Sequence, residues 1–316
     1  MPALITHYIQ ADKTLEALPN NISHEIIRPA FLLGAQGPDF LYFHRVLPII
    51  MPGKSQRSVG TALHNIPPDR LFGSFANYLC KNYNAAAMSF ALGFLCHYAL
   101  DSVCHPYIYS LQRKIIEQNN IKYFDGFVHS KIEHSIDILL CRKLLCINAN
   151  EFDFDKALTN DEQIISECAK MMAYSVNELT EYDVSERQMR RAFLDFRALQ
   201  RFSRDKHGIK HGTLRTLEKI IFFPESASTF IRTKTVADDV DYLNLAHDEW
   251  TNPYDKTSVA TSDFYWLINE ATNRSVRLIE QYQNAVEDKN IIDFTGNFSY
   301  KTGLKISDKS KIDDTY

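Results

Sequence analysis

Three side chains in the segment FLCHYALDSVCHP, His97, Asp101 and His105, stand four residues apart. At about 100° per residue this spacing lines them along one stripe of a helix, where imidazole and carboxylate can share a cation. The segment FVHSKIEHS repeats the four-residue interval with His129 and Glu133. Further donors lie upstream: His7 in ITHYI, Asp39 after the glycine- and proline-containing turn of GAQGPDF, and His64 in TALHN. Neighbouring helices pack about 8–10 Å apart, so pairs on separate helices can meet at a common metal. Eight nitrogen and oxygen donors without a thiolate favour zinc over manganese or iron, and they exceed what one ion uses. Two or three ions are therefore expected.

A lone histidine, or a single His/Asp pair, is commonplace in helices without any metal. Here the surrounding segment NAAAMSFALGFLCHYALDSVC is the most apolar in the chain. Burying His97 and Asp101 there without strong partners would cost several kcal/mol. Metal coordination supplies such partners.

The elements that must position these donors read as helices. Apolar periodicity predicts them near residues 22–34, 67–83, 84–104, 124–146, 161–180, 184–203 and 262–287. Pro67 and Pro68 open the second, Pro106 is expected to end the third, and Gly126 marks the start of the fourth. The segments 147–163 and 203–213 read as loops. The apolar segment carrying His97 and Asp101 fits a buried central helix better than a membrane span.

The 316 residues carry 35 basic and 39 acidic side chains, a net charge of -4. That balance excludes a disordered chain and a generic polyanion binder, and no stable nucleic-acid complex is expected. Six cysteines without a CxxC pair read as reduced core residues. The N-terminal MPALITHYIQADK lacks the features of a secretory signal, so a cytoplasmic location is expected.

Taken in order, His7, Asp39, His64, HYALDSVCH (97–105) and HSKIE (129–133) resemble the zinc-dependent phospholipase C superfamily, which also contains single-strand-specific fungal nucleases. The resemblance implies an all-α, multi-helix bundle of phospholipase C/nuclease type with its metal cluster between core helices. The resemblance spans residues 1–180, expected as the core; the helical segments of residues 181–304 read as an extension packed on it, and the charged residues 305–316 as a frayed tail. The resemblance further implies that Asp39, His64, His97 and Asp101 hold one zinc and His105, His129 and Glu133 a second. A third would take His7, the bridging Asp101 and the N-terminal amine, with Pro2 as the terminal ligand once Met1 is removed. Family members of the secreted kind use a tryptophan there, and this chain departs from them.

The activity implied is hydrolysis of a phosphodiester by zinc-bound hydroxide, on a phospholipid or a related small phosphodiester, with Asp39 orienting or deprotonating the water. Tyr42, Phe43 and Tyr98 are candidate substrate contacts, and the apolar stretch 42–54 a candidate for peripheral membrane contact. A nuclease or nucleotidase on the same cluster is one alternative, and a non-catalytic protein stapled by metal is another. His247-Asp248 resembles the ligand pair of HD-type phosphohydrolases, but a dipeptide alone carries little weight. The GKS at 53–55 lacks the upstream glycine of a phosphate-binding loop.

Overall fold

A computed structural model of the chain describes residues 4–45, 55–119, 125–220, 228–236, 239–287 and 294–306. Its described residues form an all-α bundle around one long helix. In chain order the helices are α1 (Leu4–Ala17), α2 (Asn20–Ser23), α3 (Arg28–Gly34), α4 (Arg57–Asn65), α5 (Pro68–Lys81), α6 (Ala85–Asn119), α7 (Asp125–Leu144), α8 (Glu162–Leu179), α9 (Glu186–Ser203), α10 (Ile209–Ile220) and α11 (Phe264–Glu287). A two-stranded antiparallel ribbon pairs β1 (Trp250–Thr251) with β2 (Val259–Ala260). Trp250 on β1 packs edge-on against Tyr107 of α6.

Local chemistry fixes the helix starts. The Asn84 side chain accepts the amides of Ala86 and Ala87 at the head of α6. Asp161 does the same for Gln163 and Ile164 in α8. Ser185 and Gln188 close a reciprocal capping box on α9. The expected single helix over 22–34 is two pieces, because Pro29 sits in the first turn of a fresh helix, α3.

The central helix α6 is packed by α1, α3, α5, α7, α8 and α11. It is long and apolar enough to cross a membrane, yet its apolar window is 94% buried inside the bundle. Pro106, expected as a stop, lies inside α6, which runs on to Asn119. Gly303 packs over the Pro106 ring and the Ser102 carbonyl, so tertiary packing covers the gap in the helical ladder. The helices α1, α4 and α10 were not anticipated, and α10 occupies part of a segment read as a loop. Of the cysteines, Cys96, Cys104, Cys141 and Cys168 are buried, but Cys80 and Cys146 are exposed, contrary to a uniformly core assignment. Cys146 follows α7 with a positive φ of 56°.

Two glycines set how closely α3 approaches α6. A Cβ on Gly93 would overlap the Phe31 carbonyl oxygen, and one on Gly34 would overlap the Phe90 carbonyl oxygen. The two backbones are thus in direct contact. The following 3-10 turn, Gly37–Phe43, begins with Gly37 at a φ of 55°, where a side chain would occupy the space of the His97 ring. Asp39 is carried to the centre of the bundle by this turn.

Residues 294–306 return across α5 and α6. Asp69 accepts the amides of Phe294 and Thr295, and the Tyr98 hydroxyl accepts the Phe298 amide and donates to the Thr295 carbonyl. Residues 305 and 306, expected as the start of a frayed tail, are still part of this segment, with Ile306 donating to the Asn297 carbonyl, and residues 307–316 lie outside the described residues.

Gly93→Ala is expected to lower the thermal midpoint, with a loss on the order of 1–3 kcal/mol from overpacking. Gly73→Ala in α5 is its control, because nothing lies within 4 Å of an added methyl there. That variant should melt at or above the parent temperature.

Candidate metal centre

The donors come from five elements. His7 lies on α1, Asp39 on the 3-10 turn, His64 on α4, His97, Asp101 and His105 on α6, and His129 and Glu133 on α7. They gather into three groups able to hold a cation, each with ligand atoms within 4.8 Å of one another: His7, Asp39 and His97; His64, His97 and Asp101; His105, His129 and Glu133. His97 belongs to two groups. Asp101 lies between them and the third, with Oδ1 3.5 Å from His7 Nε2 and Oδ2 3.2 Å from His97 Nε2 and 3.9 Å from His105 Nδ1.

Backbone and amide oxygens fix the direction of three imidazoles. His64 Nδ1–H donates to the Gly60 carbonyl at 2.9 Å and His105 Nδ1–H to the Tyr300 carbonyl at 2.7 Å. His129 Nδ1 is 3.0 Å from the Gln112 side-chain oxygen. A carbonyl oxygen only accepts, so in the neutral rings Nδ1 holds the proton and Nε2 presents its lone pair to the site.

Those lone pairs face carboxylate oxygens. His64 Nε2 is 3.3 Å from Asp39 Oδ1, His105 Nε2 is 3.6 Å from Glu133 Oε1, and His129 Nε2 is 3.2 Å from the same oxygen. Two acceptors facing at such distances repel unless a cation or a proton lies between them. Both ring nitrogens of His97 and Nδ1 of His7 are buried without a hydrogen-bond partner among the described residues. A nitrogen and oxygen donor set of this kind fits zinc.

Without metal, protons take up part of the mismatch. Burial disfavours the charged form of His105, but Asp101 and Glu133 prevail and raise its pKa to about 9. Burial and the neighbouring His97 lower His7 to about 4. Asp101 stays ionised well below the usual carboxylate range; burial opposes this, and the imidazoles of His97, His105 and His7 outweigh it. Burial lowers His129.

Residues away from the cluster hold its parts. Asp137, one helical turn beyond Glu133, accepts the amides of Ile5 and Thr6, the Thr6 hydroxyl and Arg232 Nη1. This buried clamp ties the start of α1, and so His7, to α7. The carbonyl of Tyr300 and the Asp137 clamp carried no signal in spacing, because a backbone acceptor and a distant ion pair leave no local pattern.

Six of the eight donors, Asp39, His64, Asp101, His105, His129 and Glu133, line a cavity of about 440 Å³, together with Tyr42, Arg57, Thr61, Asn65, Tyr109, Tyr300 and Lys301. Of the three candidate substrate contacts, only Tyr42 lines it. Tyr98 is fully buried and fastens the 294–306 segment. Phe43 is buried against Phe196 and Phe230. Pro2 and residues 46–54 of the apolar stretch lie outside the described residues. His247 is exposed and bonded to the Thr261 carbonyl, while Asp248 pairs with Lys114.

A helical bundle that gathers imidazoles and carboxylates from five elements, four of which bring donors to one cavity, has the make-up of a multi-ligand metal centre. The family model for zinc dependent phospholipase C matches residues 6–188, more than half of the chain, and the chain belongs to that family. Neither curated proteins nor solved structures give a match to it.

Zinc binding must displace the proton that His105 holds at pH 7. Affinity for zinc is expected to rise with pH and to level off above about 9, where His105 is already neutral. Calorimetric titrations in buffers of different ionisation enthalpy check this. At pH 7 the apparent enthalpy should change with the buffer, and a buffer-independent enthalpy would contradict proton release.

Proposed function

We propose that the protein is a zinc-dependent phosphodiesterase of phospholipase C type, which releases a phosphorylated head group from a phospholipid or a related phosphodiester. The observation that carries this is the cavity itself. Structural zinc is enclosed by its ligands, whereas these donors line a space of about 440 Å³, a volume suited to a head group and its phosphate. Lipid chains would remain outside, so access would require peripheral contact with the membrane surface.

His7, Asp39, His64, His97, Asp101, His105, His129 and Glu133 are the proposed ligands, sharing two or three ions. Zinc, when bound, supplies Lewis acidity to phosphoryl oxygens and makes water more acidic. The chain's residues do the positioning. The fixed rings of His64, His105 and His129 hold their Nε2 atoms toward the cavity. Asp39, buried beside His64, would accept a proton from a water aimed at phosphorus. The bond from phosphorus to the glycerol oxygen then breaks on the far side. The products are diacylglycerol, whose oxygen takes a proton from solvent, and the phosphorylated head group.

Asp39→Asn should lower kcat for bis(p-nitrophenyl) phosphate by roughly a hundredfold or more, the usual range for loss of a general base, and should reduce turnover more than the zinc content read by elemental analysis. Equal losses of zinc and turnover would assign Asp39 to ligation alone. A fully zinc-loaded parent that hydrolyses no phosphodiester would leave only the metal-stapled alternative. Hydrolysis of single-stranded DNA but of no phospholipid would favour the nuclease alternative.

A further inference from the structure

The charged groups of the cavity differ in what they have left to bind. Its carboxylates are Asp39, Asp101 and Glu133, and each faces an imidazole at 3.2–3.3 Å within the donor groups. Its cations outside the donor set are Arg57 and Lys301. Neither makes an ion pair among the described residues. Arg57 is exposed and Lys301 half-buried, so both heads can reach a ligand from the rim.

Their places in the fold are set by the metal donors. Arg57 opens α4 and precedes His64 by seven residues, two helical turns, so both project from one face with Thr61 between them. Lys301 follows Tyr300, the residue whose carbonyl holds His105. One cation is therefore tied to the His64 side of the cluster and the other to the His105 side.

A quaternary ammonium head group would find Tyr42 and Tyr109 here, but among the described residues no carboxylate outside the metal donors lines the cavity. Attraction to a ring face is short-ranged, whereas repulsion from two full charges falls off only with distance. A planar guanidinium and an ammonium suit phosphate or carboxylate oxygens instead. We propose that this site selects phosphodiesters whose head group carries a further negative charge, with Arg57 and Lys301 as the residues that recognise it. The proposal rests on the phosphodiesterase reading for its reaction but not for its binding preference.

Two probes with a common phosphate and opposite tails test it: 3-phosphoglycerate, which ends in a carboxylate, and phosphocholine, which ends in a quaternary ammonium. Calorimetry on the zinc-loaded protein should give tighter binding of 3-phosphoglycerate by roughly tenfold at low salt, with the gap narrowing as ionic strength rises. In the double variant Arg57→Gln, Lys301→Gln the gap should close while zinc content stays at the parent level. Phosphocholine binding as tightly as 3-phosphoglycerate, a preference that survives the double substitution, or no binding of either probe would overturn the proposal. Hydrolysis of bis(p-nitrophenyl) phosphate is scored separately. Hydrolysis without the binding preference would keep the enzyme and remove this inference, and the preference without hydrolysis would do the reverse.

Discussion

A carboxylate in the middle of the most apolar helix has to be met by positive charge, and Asp101 of α6 is that carboxylate. It is 6% exposed, so solvent can offset little of the cost of its ionisation. The same helix supplies His97 and His105 one turn to either side, and α1 and α4 deliver His7 and His64 within 4.0 Å. Imidazoles alone answer the charge only when protonated, and His7, buried and next to His97, resists that. A shared cation satisfies the carboxylate and the neutral rings together. The arrangement of helices around α6 is the means by which a buried charge obtains its partners.

Close backbone contact makes this convergence possible. Without side chains at Gly34 and Gly93, α3 lies directly on α6, and the turn that follows reaches His97 through another position that admits only glycine, Gly37. Ridge-and-groove packing would otherwise hold the helix axes about 8–10 Å apart, and Asp39 would be drawn outward with the turn. The far end of the chain also takes part. The family match ends at residue 188, yet Tyr300 orients His105 and Arg232 completes the clamp on α1. The region beyond the match is thus built into the geometry of the centre rather than laid over it.

Much of the donor set was visible in the sequence because helical spacing is a physical constraint on side chains of one element. His97, Asp101 and His105, and likewise His129 and Glu133, could be paired without any tertiary information. The helix α1 was hidden for a related reason. Its polar residues His7, Gln10 and Thr14 are buried, with Gln10 bonded to Ser275 of α11, so apolar spacing does not mark its inner face. Pro106 misled because its local meaning is a stop, while the helix runs through it with Gly303 packed over the proline ring and the Ser102 carbonyl. Tyr98 has the composition of a substrate contact and the place of a core residue. Whether a tyrosine next to a donor faces the cavity or the opposite side of the helix depends on which neighbour packs there, and in this chain the segment 294–306 decides it.

The centre is graded from inside to outside. His97 and His7 are buried, whereas the side chains of His64, His105 and His129 keep 17%, 14% and 15% of their exposure. A ligand entering the cavity would meet the outer rings first, and these are the ones whose orientation is fixed by hydrogen bonds from Nδ1. His97 Nδ1 has no such bond among the described residues, and that ring is held by packing and by Asp101, whose Oδ2 is 3.2 Å from His97 Nε2. His64 and His105 share the charge of Asp101 with His7 and His97, but the outer donors, held by directional bonds, also keep a precise geometry where a reacting group would sit.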